Sequence, residues 1–325
     1  MKLTIEQLKS ILFGAVDMAE ENGRISLFRF TKKQRAYYSE KRGGELLYKT
    51  HASAGMRLDM HTDADALSFD FWVKKASGRT FYSIDLYVDG VFRESFYVNH
   101  LAVKSKGTVS FALPTGEHRV TVYLPNMMKT DIANVTLENA SILTPFEAKT
   151  KILFLGDSIT QGYDAHRASL SYTNRVARAL DADSLNQAVG SEVFDADILD
   201  AELPFLPDTV IAAYGTNDWA VKDTEEDFLG EAERFFIRLK KIYSSQKCIY
   251  ITPVWRGFTE GVTLKTGSFE TACANLKALA EKHGFVTVDS AQLILHDPAF
   301  YQDAEILHPN DLGFDLYAQN LLRMI

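Results

Sequence analysis

A chain of 325 residues has room for two domains with well-buried cores, and 46% hydrophobic against 24% charged residues is the balance of a water-soluble globular protein. Its net charge of -8 argues against a nucleic acid or an anionic membrane surface as partner, because both require clustered Lys and Arg. The two cysteines, Cys248 and Cys273, form no Cys-x-x-Cys pair and have no histidine at metal spacing, so they read as small buried hydrophobes rather than as a disulfide or a metal site.

In chain order, Leu8, Ile11, Leu12, Ala15 and Val16 recur at helical spacing among charged residues. Thr4 with Gln7 fits a capping box, Leu3 with Leu8 a hydrophobic staple, and Asn22-Gly23 a helix stop. An amphipathic helix is therefore predicted instead of a secretory leader, and with no transmembrane-length apolar run the expected location is cytoplasmic. From Ile25 to Leu143 the pattern turns alternating and aromatic, with short strand-like runs at 25–30, 67–73, 81–88, 91–98, 107–113, 117–124 and 134–143, which implies a β-sandwich. Asp89-Gly90 is a two-residue hairpin signal and Pro114-Thr115-Gly116 a turn.

A boundary is expected at Thr144 to Ala148, dividing the chain into residues 1–146 and 147–325. Beyond it strands at 151–155, 184–189, 210–214, 247–253 and 286–289 alternate with helices at 171–180, 225–243, 269–283 and 314–324. That alternation predicts a parallel sheet with helices on both faces.

Four motifs in the second half carry chemistry. Phe154-Leu-Gly-Asp-Ser-Ile-Thr160 delivers Ser158 to the carboxyl end of a buried strand, where open α/β sheets collect ligands. Gly190 follows the run Ser184 to Val189, and Gly215-Thr216-Asn217-Asp218 places an amide at the end of another strand. Glu305-Ile-Leu-His308-Pro-Asn310 precedes the last helix. Each has a bland alternative: a turn, an N-cap, a loop. No phosphate-binding glycine loop occurs. His166 lies in the polar stretch after Ser158, His283 ends a helix, and His296 lies in another loop.

In this order the four motifs resemble the blocks of the SGNH (GDSL) hydrolases, and the segment 113–125 resembles the edge of the jelly-roll domain that precedes the hydrolase domain in two-domain members. The resemblance implies a flavodoxin-like α/β domain after a jelly-roll sandwich, a cofactor-independent serine esterase, and no metal. It implies Ser158 as nucleophile, His308 as base, and Ser158, Gly190 and Asn217 as oxyanion donors. The last block usually reads Asp-x-x-His; here Glu305 stands at the acid position, with Asp303 as the alternative that orients His308. The second block is one residue short, so Ser191 competes with Gly190. Asp157, Trp219 and Trp255 are the candidate substrate contacts, an indole face suiting a sugar ring while packing is an equal alternative.

The expected substrate is a small, O-acetylated carbohydrate ester. A short-chain acyl esterase, thioesterase or lysophospholipase is the rival among enzymes, and a carbohydrate-binding protein with an inactive hydrolase half is the rival outside them. The role of residues 1–145 stays open between substrate capture, dimerisation into a homo-oligomer, and support of the active-site rim.

Overall fold

The computed structural model describes residues 1–302 and 306–325. Helix α1 (Ile5–Ile11) opens with the expected capping box: the Thr4 hydroxyl accepts the Gln7 N–H, and the Gln7 side chain accepts that of Thr4. The helix is shorter than the spacing predicted. Strand β1 (Leu12–Phe13) pairs with Arg57 and Leu58, and Gly14, at φ 79°, packs so closely that a Cβ would lie 2.6 Å from the Gly55 carbonyl oxygen. Strands β2 (Asp17–Glu21) and β3 (Arg24–Phe28) follow as a hairpin. Asn22-Gly23 is its two-residue turn, with φ of 53° and 74°, and not a helix stop. Asn-Gly suits this turn because both positions need positive φ.

Helices α2 (Lys32–Glu40) and α3 (Leu47–Thr50) come next, neither of which was predicted. Then come strands β4 (Arg57–Thr62), β5 (Ala66–Lys75), β6 (Tyr82–Val88), β7 (Val91–Val98), β8 (Lys106–Ala112), β9 (His118–Tyr123), β10 (Met128–Glu138) and β11 (Leu143–Pro145). Asp89-Gly90 turns β6 into β7 with φ of 52° and 76°. One antiparallel sheet runs β1-β4-β9-β6-β7, with β11 on β4, and the other runs β2-β3-β10-β5-β8. Alternate residues of β5 (Leu67, Phe69, Phe71, Val73) meet Ile84, Leu86, Val120 and Val122 in one apolar core.

Strand β6 is buried on both faces because its outer face covers the second half of the chain. There the Ser83 hydroxyl accepts the Ala168 N–H and the Asp85 carboxylate that of Ser169. Further along the same sheet Arg119 spans the halves, donating to Asp59 on one side and to Asp181 on the other.

The second half contains β12 (Thr150–Gly156), α4 (Ser158–Gln161), α5 (Tyr172–Ala179), β13 (Ala182–Asn186), β14 (Thr209–Ala213), α6 (Thr216–Val221), α7 (Glu225–Ile242), β15 (Lys247–Ile251), the small ribbon β16 (Thr263–Leu264) and β17 (Gly267–Ser268), α8 (Phe269–Lys282), β18 (Val286–Val288) and α9 (Asp311–Leu322). Its sheet is parallel, in the order β13-β12-β14-β15-β18. This is the flavodoxin-like order, with the topological switch point between β12 and β14. One face packs on α7 and α8 through Phe235, Phe236 and Leu276, and the other on α5 and α9 through Tyr172, Val176 and Phe314. Phe30, Tyr38 and Leu46 join the first of these cores, so the segment around α2 packs with the parallel sheet although it precedes residue 146.

Candidate active site

Ser158 is the first residue of α4, set at the switch point by the end of β12. Asp157 caps that short helix by accepting the Ile159 N–H, and it is buried. Burial pushes its carboxyl up to about 6, with the Ile159 N–H and His308 opposing. The Ser158 N–H, at the first helical position, has no intrahelical partner. Asp157 is thus placed as a helix cap beneath the serine.

His308 arrives from the far end of the chain. Its Nε2 lies 2.9 Å from Ser158 Oγ, and both residues are nearly closed to solvent, at 8% and 7% exposure. The ring stacks on Tyr163 with centroids 5.5 Å apart. Asp303 and Glu305, the two sequence candidates for orienting the imidazole, lie outside the described residues.

Among the described residues, the carboxylate against His308 Nδ1 is that of Asp164, with Oδ2 at 3.3 Å. Asp164 sits in the left-handed region at φ 66°, two residues beyond Gly162. Burial alone would raise its pKa, but a two-pronged bond from Arg79 and the nearby His308 hold it down to about 2. Sequence reasoning missed Asp164 because its only signal was the turn-forming Gly162 four residues after the serine. Arg79 comes from the sandwich and carried no signal at all.

The second motif loop is clasped from several sides. Fully buried Arg29 donates to the carbonyls of Asn186 and Ala188, as well as to those of Lys49 and Ala52. Lys49 Nζ donates to the Gly190 carbonyl and to Ser191 Oγ. Gly190 lies so close to Tyr163 that a Cβ would stand 2.8 Å from the ring carbon Cζ. Its N–H already donates to Gln161 Oε1 at 2.8 Å. The next N–H, that of Ser191 at φ 70°, makes no hydrogen bond among the described residues. The short second block therefore leaves Ser191, not Gly190, with the uncommitted amide.

Asn217 stands in the first turn of α6, and its Nδ2 donates to the Glu192 carbonyl at 2.9 Å, next to that loop. Its neighbour Asp218 accepts the Phe194 N–H, and burial pushes this carboxyl up to about 7. Gly215 before them has φ 121°, and a Cβ there would stand 2.7 Å from Leu276 Cδ1.

The tryptophans separate. Trp219 is buried, donates Nε1 to the Gly267 carbonyl and meets Phe269 edge-on, so it packs loop against helix. Trp255 stacks on His296 with centroids 5.1 Å apart and lines a cavity of about 420 Å³ at the carboxyl ends of β15 and β18, together with Pro253 and Cys273. His166 is exposed and stacks on Tyr97, and His283 ends α8 against Glu233. Cys248 is buried and Cys273 half-buried, both as free thiols.

A family model described as the GDSL-like lipase/acylhydrolase family matches residues 154–316, half of the chain. No sequence match was found among curated proteins. Among solved structures, the salicylyl-acyltransferase SsfX3 from a tetracycline biosynthetic pathway is similar at a TM-score of 0.82 and 19% identity, over 96% of this chain and 92% of that one. A family two carbohydrate esterase from Clostridium thermocellum, in complex with cellohexaose, is similar at 0.64 and 16%, over 84% and 92%. One from Cellvibrio japonicus is similar at 0.61 and 17%, over 98% and 95%. These likenesses extend through the sandwich and the parallel sheet alike.

Proposed function

Because the chain belongs to the GDSL-like lipase/acylhydrolase family, we propose that it is a serine esterase acting on small acyl esters, acetyl esters of carbohydrates first among them. The observation that carries the reading is the 2.9 Å approach of His308 Nε2 to Ser158 Oγ at the switch point of the sheet. His308 takes the Ser158 proton as Oγ bonds to the ester carbonyl carbon, and the imidazolium returns that proton to the departing alkoxide. Water then gives a proton to His308 as its oxygen bonds to the acyl carbon, and the imidazolium passes that proton to the departing Ser158 Oγ, freeing the acid and restoring Ser158. The Ser158 N–H, the Asn217 amide and the Ser191 N–H are the donors assigned to the developing oxyanion. Such donors contribute on the order of 3 kcal/mol each to lowering the barrier. Asp164 holds the imidazole by Nδ1 and offsets its charge.

The carbohydrate assignment is supported by the family two carbohydrate esterases among the similar structures. Initial rates on p-nitrophenyl acetate, butyrate and octanoate, with Ser158→Ala alongside, test the serine-esterase and acetyl assignments, and acetate release from an O-acetylated sugar tests the carbohydrate one. Ser158-dependent activity confined to acetate supports the reading; equal or greater activity on octanoate replaces it with a long-chain lipase or lysophospholipase.

A second reading, transfer of the acyl group to an alcohol acceptor instead of water, is favoured by the 0.82 TM-score to the salicylyl-acyltransferase. The same acyl-enzyme serves both reactions. Measuring the ratio of transferred to hydrolysed product as a sugar alcohol is added separates them.

A further inference from the structure

The loop between β5 and β6 of the sandwich reaches into the hydrolase half and meets Tyr163 and Asp164, the two residues set against His308. Its Ala76 and Ser77 are buried, and Ser77 Oγ accepts the Arg79 N–H at 3.0 Å, which fixes the loop's course. From this loop the Gly78 N–H donates to the Tyr163 hydroxyl at 3.2 Å. Arg79 lies over the Tyr163 ring at 5.4 Å and donates through Nε and a terminal nitrogen to the two oxygens of Asp164, both at 2.6 Å. Asp164 in turn stands 3.3 Å from His308 Nδ1.

From this chain of contacts we infer that Arg79 is a positioning residue for His308, acting through Asp164, so that the sandwich supplies part of the active site. The inference rests on the esterase reading above. The fork of a guanidinium matches both carboxylate oxygens at once and fixes the plane of the carboxylate as well as its distance. That constraint matters here because Asp164 is a buried carboxylate on a backbone with positive φ, which costs a non-glycine residue on the order of 1 kcal/mol or more. Without the fork, the carboxylate is free to turn away, and the imidazole loses a negative charge set against its Nδ1. The Tyr163 ring, pinned by Gly78 on one side and stacked on His308 on the other, is held by the same loop. Sandwich and sheet are thus joined at the point where the proton moves.

The test uses the whole chain and p-nitrophenyl acetate, with Arg79→Ala, Arg79→Lys, Asp164→Asn and the Arg79→Ala/Asp164→Asn pair. Arg79→Ala is expected to lower kcat at least tenfold with KM within twofold, and guanidinium in the millimolar range is expected to restore part of the rate while sodium chloride does not. In the Asp164→Asn background, Arg79→Ala is expected to cost less than twofold, because the partner through which it acts is gone. Should Arg79→Ala fail to fold, Arg79→Lys keeps the charge and loses the fork, and is expected to lower kcat several-fold at unchanged KM. Wild-type kcat in Arg79→Lys, full multiplicativity in the double variant, or a loss confined to KM overturns the assignment. If Ser158→Ala abolishes hydrolysis while the Arg79 variants match the wild type, only this inference falls. If no hydrolysis depends on Ser158, the esterase reading falls and takes this one with it.

Discussion

At the scale of single residues, the site depends on where charges are buried. Asp164, held down to about 2, stabilises the fold at pH values above the ordinary carboxylate pKa, and that stability is lost as pH falls from about 4 through 2. Asp218 has the opposite sign. Its carboxyl is raised to about 7 by burial, so its contribution is present below about 4 and lost as pH rises towards 7. Its Oδ2 is buried without a hydrogen-bond partner among the described residues. Asp218→Asn keeps an oxygen for the Phe194 N–H, and is expected to raise the melting temperature by several degrees more at pH 8 than at pH 4. An equal shift at pH 4 and pH 8 would show that the carboxyl is not raised. In the reaction itself, Asn217→Ala is expected to lower kcat roughly a hundredfold or more with little change in KM. Steady-state kinetics with the acetate ester check the split, and the reverse pattern removes Asn217 from the oxyanion site.

Among the elements, the loops after β12, β13 and β14 matter most, because they carry the serine, the second motif and the amide to one end of the sheet. Their glycines are set by space. Gly190→Ala would drive a methyl into Tyr163, the ring against which His308 stacks, and is expected to cost roughly 1–3 kcal/mol of stability and most of the activity. Urea unfolding and the acetate assay on one preparation test this; a stable, fully active variant would show that the contact is slack. The strands and helices of the second half were legible because each buried run was bounded by turn residues and flanked by a helical period. The N-terminal reading failed where short-range signals were ambiguous: Leu12 and Val16 fit a helix in spacing, yet Leu12 pairs in β1, Gly14 bends the chain at positive φ, and Asn22-Gly23 turns β2 into β3. Helix α2 was missed although Thr31 and Gln34 form a capping box, because its buried face is polar and aromatic, with Gln34 and Tyr38 in place of an apolar stripe.

Across the whole molecule, the two halves behave as one body because polar contacts cross the seam at both ends of the site. Arg29, Gln34 and Lys49 grip the second motif loop, while Ser83, Asp85 and Arg79 grip the segment after Ser158. A fragment of residues 147–325 lacks Phe30, Tyr38 and Leu46 from its core and exposes that face. It is expected to be insoluble or inactive, and the full chain to unfold in a single calorimetric transition. Two resolved transitions, with an active fragment, would contradict this. None of the coupling was readable from sequence, since it joins residues 84 to 159 positions apart and uses ordinary polar side chains. The serine, histidine and asparagine were readable because short motifs at strand ends announce them. Among the described residues, no helix is long and apolar enough to cross a membrane. The most direct test of the central claim is covalent labelling with a fluorophosphonate probe, followed by peptide mapping. A single adduct is expected on Ser158, disappearing in both Ser158→Ala and His308→Ala; a folded wild-type protein that takes no label, or takes it on another residue, would contradict Ser158 as the nucleophile.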